Sequence, residues 1–190
     1  MKAKQRNHMA GCALALLAVF ALASAALAQG LSLKPPSLAN VNGRLTARFG
    51  VAVEELPILK GELEDGLELE LSCDIGLYRT NDYWMDDEIA SGVFVSALRH
   101  DPLTREYVMT LPRGGQPLRN TDIKELLSDG WGAIEIGLGS WALLDRGVKY
   151  SLRLNTSMNE KGAPDGVMRY IYFWSWNPGA ENSFQLDFTY

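Results

Sequence analysis

Apolar and polar residues alternate along much of this 190-residue chain, and a period of two is the mark of strands with one buried face. Val41, Leu45, Ala47, Phe49, Val51 and Val53 fall on odd positions and predict a strand over 41–53. The clearest run follows. Leu67, Leu69, Leu71, Cys73, Ile75 and Leu77 alternate with Glu68, Glu70, Ser72, Asp74 and Gly76. That parity assigns Cys73 to the core as a small hydrophobe, where burial works against a reactive thiolate. A strand is predicted from Ile89 to His100, then a turn at Asp101-Pro102-Leu103-Thr104 and a hairpin partner from Glu106 to Leu111. Further strands carry Ile134, Ile136 and Leu138, then Val148, Tyr150, Leu152 and Leu154, then Val167 to Trp176, and finally Phe184, Leu186, Phe188 and Tyr190.

Two segments break the alternation. Glu55 to Asp65 has Pro57 in its opening turn and Gly66 at its end, the punctuation of a short helix. Asp122 with Glu125 three residues later matches a capping box, so a second helix is expected from Asp122 to Ser128, stopped by Gly130. Many short strands with two helical turns predict a mainly β fold, a single antiparallel β-sandwich that is immunoglobulin-like in the broad sense. Leu69, Leu71, Cys73, Val108, Ile136, Leu152 and Leu154 are expected in its core.

The first residues belong to a different pattern. Lys2, Lys4 and Arg6 precede the apolar run Ala13 to Leu22, and Ala26-Leu27-Ala28 closes it before Gln29, as in a secretory signal peptide over 1–28. Cys12 precedes the apolar run, the wrong side for a lipoprotein site. Met9 to Ala28 is also about the ~20 residues of a spanning helix, so an uncleaved anchor is the alternative. Residues 29–37, with Pro35-Pro36 and no periodicity, read as an extended leader, and 38–190 as the sandwich domain. The expected location is the periplasm, with no membrane span after cleavage.

Export changes the charge. Residues 1–28 hold three of the 18 basic residues and none of the 23 acidic ones, leaving 15 basic against 23 acidic residues and a formal charge of −8. Such a domain repels phosphate backbones, which argues against nucleic acid as a partner. Beyond residue 28 only Cys73 and His100 remain of their types, too few for a disulfide within the chain or a His/Cys metal site. No cofactor is expected.

Three stretches invite chemistry. The carboxylates within Arg79 to Glu88 offer oxygens to a hard cation, but their spacing departs from the twelve-residue calcium loop, and a solvated connection paired with arginines is preferred. Tyr170, Tyr172, Trp174 and Trp176 share one strand face, either core or an outward platform for sugar, lipid or a partner. The final Phe184 to Tyr190 run superficially matches an outer-membrane barrel strand, which the helices do not fit. Acid pairs are too abundant to single out a glycosidase-type site, and no nucleophile elbow or metal motif is present.

Taken together, Leu67-Glu68-Leu69-Glu70-Leu71, Tyr78-Arg79, Tyr83-Trp84-x-Asp86, Leu98 to Val108 with Leu103-Thr104-Arg105-x-Tyr107, Tyr150 to Leu154 and Trp174-Ser175-Trp176 resemble the exported bacterial family catalogued as domain of unknown function 4390. The resemblance implies a small envelope domain of Gram-negative bacteria without an established activity, with members linked to membrane sensor kinases by gene neighbourhood. It brings no catalytic residues. The expected function is a non-enzymatic binding or accessory module for a protein partner or envelope component. The alternative is an envelope carbohydrate- or lipid-processing enzyme using paired carboxylates. Arg79, Trp84, Asp86 and Arg105 are expected to form one face of the partner-binding surface, on the reading that the acidic stretch Asp82 to Glu88 lies beside the Asp101-Pro102 hairpin.

Overall fold

The strand with the cleanest alternation lies at the centre of the protein. In a computed structural model describing residues 31–112, 114–162 and 181–190, β3 (Leu69–Arg79) is paired on both sides, with β4 (Asp87–Asp101) and β8 (Lys149–Glu160). Leu69, Leu71, Cys73, Ile75 and Leu77 are buried on its inward face. The sheet continues through β5 (Glu106–Thr110) to β6 (Leu118–Asn120) on one side and to β9 (Glu181–Thr189) on the other, giving the order β6-β5-β4-β3-β8-β9.

A second sheet, β1 (Leu31–Val41), β2 (Arg44–Val53) and β7 (Ile134–Ser140), covers the inward face. Leu45, Ala47, Phe49 and Val51 of β2 meet Ile134, Ile136 and Leu138 of β7 in one core with the inward residues of β3 and β8. Helices α1 (Leu56–Glu64) and α2 (Ile123–Trp131) add Leu59, Leu63, Leu126 and Trp131 to that core. Trp131 is fully buried, and its indole N–H donates to Ser96 Oγ at 2.9 Å, so the one polar atom of the side chain is satisfied inside. All pairings are antiparallel. The fold is mainly β, an open sandwich of three- and six-stranded antiparallel sheets with two short helices.

Several details differ from the sequence expectations. Residues 31–37 are extended but belong to β1, paired to β2, rather than forming a leader outside the sheet. Pro35-Pro36 fits there because β1 is an edge strand whose register shifts between Lys34 and Ser37, where no ladder donor is needed. The predicted strand over 41–53 is interrupted by a two-residue hairpin turn at Asn42 and Gly43, with φ of 53° and 80°. α2 passes through Gly130 to Trp131 instead of stopping before it, because a Cβ at that position would collide with Met109 Sδ, so the missing side chain is what lets the helix pack. The capping box is not reciprocal. Asp122 Oδ1 accepts the Lys124 N–H at 2.8 Å, while Asn120 Oδ1 takes the Asp122 N–H and Glu125 instead accepts from the Asn120 side chain. Val108 is buried as expected, although on β5 it points away from its neighbours Tyr107 and Met109. The expected signal peptide and the expected strand from Val167 to Trp176 lie outside the described residues.

Candidate partner-binding surface

On the outward face of the large sheet, a glycine makes room for an aromatic ring. A Cβ on Gly76 would come within 2.6 Å of the Tyr78 ring, so Gly is what lets Tyr78 lie flat over its own strand. Arg153 stands opposite Gly76 on β8. Its guanidinium sits 4.4 Å from the Tyr78 ring centroid and pairs with the Asp86 carboxylate, while the Tyr78 hydroxyl donates to Glu88 Oε2 at 3.1 Å. Burial, followed by the Glu88 hydrogen bond, raises the Tyr78 pKa and keeps the phenol protonated as the donor.

These contacts anchor the loop that joins β3 to β4. The Asn81 N–H donates to Asp86 Oδ1 at 3.3 Å, and the Asn81 amide donates to Met85 O and to Asp87 Oδ2, each at 3.2 Å. Lys149 Nζ lies 3.6 Å from Asp82 Oδ1, and Arg79 Nη2 lies 2.7 Å from Asp145 Oδ2. With both ends held, the residues between have nowhere to go but outward. Tyr83, Trp84 and Met85 are 92, 86 and 89 % exposed. Three consecutive large apolar side chains in water on a tied loop form a patch of the kind that marks an interaction site.

Behind the loop a pocket of about 350 Å³ is lined by Asp86, Lys149, Arg153, Gln185 and Asp187 among others. It gathers two carboxylates. Asp187 is held below the usual carboxylate range, first by the Gln185 amide at 3.0 Å, then by Ser151, with Arg153 adding attraction. Among the described residues no group of three or more His, Cys, Asp and Glu is placed to hold a metal ion. Cys73 is buried, and its thiol is pushed up to about 12 chiefly by desolvation.

Arg79, Trp84 and Asp86 therefore share one end of the sheet, but Arg105 is elsewhere. The 15 residues of β4 separate the loop from the Asp101 hairpin by on the order of 45 Å, so the acidic stretch does not reach the hairpin. Arg105 occupies the turn with φ of 59°, donating its N–H to Asp101 O at 2.8 Å. The guanidinium that pairs with Asp101 and Glu106 is that of Arg119, at 3.6 and 3.3 Å. Tyr107 lies inside, its hydroxyl donating to Glu64 Oε1 at 2.8 Å and its pKa raised to about 12 chiefly by burial. Sequence reasoning missed Arg153 and Tyr78. Their signal was Gly76, a glycine within an otherwise regular strand, which marks close approach of another group.

Fold and surface together define a small mainly β domain that presents an apolar loop beside a charged, polar pocket. The chain belongs to the family described as Domain of unknown function (DUF4390), whose pattern matches residues 28–187. No curated protein and no solved structure matches it.

Proposed function

We propose that the protein is an exported, non-enzymatic accessory module that docks a protein partner of the bacterial envelope through the loop between β3 and β4. One observation carries this reading: Tyr83, Trp84 and Met85 are almost wholly exposed although the residues on both sides are tied by hydrogen bonds and ion pairs. Holding apolar side chains in water costs free energy that a docked partner recovers, and a loop already tied down loses little entropy on binding. Trp and Tyr are favoured as buried anchors at interfaces. Asp82 and Asp86 are paired with Lys149 and Arg153, which leaves Asp87 and Glu88 as the acids beside the tip that a basic rim around an apolar socket would meet. A periplasmic location follows from the signal-like residues 1–28, and the family resemblance favours a membrane sensor kinase as the partner. The alternative, an enzyme using Asp86 and Asp187 in the pocket, is less well supported, because both carboxylates are already engaged, Asp86 by Arg153 and Asp187 by the Gln185 amide.

The test is crosslinking of intact cells followed by purification of the protein with Trp84→Ala or without it. The expected result is loss of a recovered partner with an unchanged thermal unfolding midpoint. Turnover of an envelope polysaccharide or lipid that vanishes in Asp187→Asn would support the enzyme instead.

A further inference from the structure

β4 is longer than its neighbour. Of β4, only Ala97–Asp101 pairs with β5, so along 87–96 the side of β4 away from β3 has no strand beside it among the described residues. Among the described residues β7 pairs with β2 alone and has a free side as well. The two approach each other at Gly92, where a Cβ would come within 2.5 Å of Ile136 Cγ2. Beside this crossing a groove of about 530 Å³ is lined by Val93, Phe94, Leu111, Pro112, Ile134 and Ile136. The N–H and C=O groups along a free strand side are a template for another strand unless the sequence blunts them. β1 is blunted by Pro35-Pro36 at its register shift, and β6 is only three residues long. The run 87–96 contains neither Pro nor Lys, and past its register shift at Ile89 the stretch 90–96 is regular and leaves Val93 59 % exposed.

We infer that an extended segment of a protein partner adds as a strand beside β4, in the lane that β5 leaves empty. Its alternate side chains enter the apolar groove, giving specificity, while the main chain supplies the ladder. Its charge is basic at the end that meets exposed Asp87 and Glu88, which open the free run; Glu135 in the groove is already paired with Arg48 at 2.8 Å. The free run begins immediately after the loop carrying Trp84, so a single partner can occupy both. The inference deepens the docking proposal and rests on it for the partner's being a protein.

The probe is a peptide of about ten residues, the upper end of ordinary strand length, alternating valine and lysine. Amide hydrogen exchange of the full chain is followed with the peptide, with a version N-methylated at alternate residues, and with no peptide. Exchange at the amides of 88–96 that point away from β3 should slow about tenfold or more with the first peptide only. The double variant Val93→Lys/Val95→Lys, which places blunting charges at exposed positions, should abolish the slowing without altering the unfolding midpoint. Slow exchange without peptide at the amides of 88–96 that point away from β3 would overturn the inference, since the lane is then filled by the chain itself or by a second copy. Absence of slowing, or slowing that survives N-methylation or the double variant, would overturn it too. If the strand test fails while Trp84→Ala still abolishes partner recovery, the docking loop stands and only the strand addition falls.

Discussion

Arg153 shows how one side chain gives a loop its shape. Its guanidinium covers the Tyr78 ring and holds Asp86, so it couples the sheet face to the loop that carries Trp84. Arg153→Ala should lower stability by about 1 kcal/mol, as expected for a partly exposed ion pair with a cation–π contact, and should speed amide exchange across 81–86. Arg153→Lys should recover less than half, because an ammonium keeps the charge without the flat, forked geometry. Denaturant unfolding and exchange mass spectrometry on the two variants check this. Asp101 acts at the far hairpin, where its carboxylate accepts the Leu103 N–H at 3.1 Å and its pKa is lowered below 3.8, first by that bond and further by Thr104, Arg99 and Arg119. A carboxylate with a depressed folded pKa stabilises the fold above its unfolded value and loses that contribution as pH falls through the folded one. The stability difference between the wild type and Asp101→Asn should therefore be steady at neutral pH and shrink on acidification below about pH 4, as unfolding curves across that window will show.

At the scale of elements, legibility followed the regularity of the pattern. β3, β8 and the β4–β5 hairpin were readable because a half-buried antiparallel strand writes its parity into consecutive residues. β1 was not, since an edge strand needs only one set of ladder bonds and so tolerates Pro35-Pro36 and an irregular face. The end of α2 was misread for a related reason: Gly130 looks like a helix stop, whereas tertiary packing against Met109 uses it as an interior residue. That gives a prediction with opposing terms. Gly130→Ala should gain up to about 1 kcal/mol of helix propensity, yet its methyl must displace the fully buried Met109 side chain. Overpacking of this kind costs about 1–3 kcal/mol, so the variant should unfold at lower denaturant than the wild type. The proposed docking surface was legible only in part. Trp84 and Asp86 stand out by type, but grouping Arg105 with them overlooks that the strand expected from Ile89 to His100 itself carries the chain on the order of 40 Å.

For the molecule as a whole, the two ends of β4 are different places. One end carries the tied apolar loop and opens into the free run along 87–96; the other ends in the Asp101 hairpin, whose tip residue Leu103 is 93 % exposed. Exposure alone therefore does not mark the docking site, because Leu103 is as open to solvent as Trp84. What distinguishes the loop is three adjacent apolar side chains on a scaffold held by Arg153, Asn81 and Lys149. The most direct measurement places a photo-activated crosslinking amino acid at position 84 in one strain and at position 103 in another, then irradiates intact cells. The docking account predicts one discrete crosslinked protein from position 84, lost when Arg153→Ala loosens the loop, and none from position 103. Equal crosslinking from both positions, or a product from 103 alone, would contradict it.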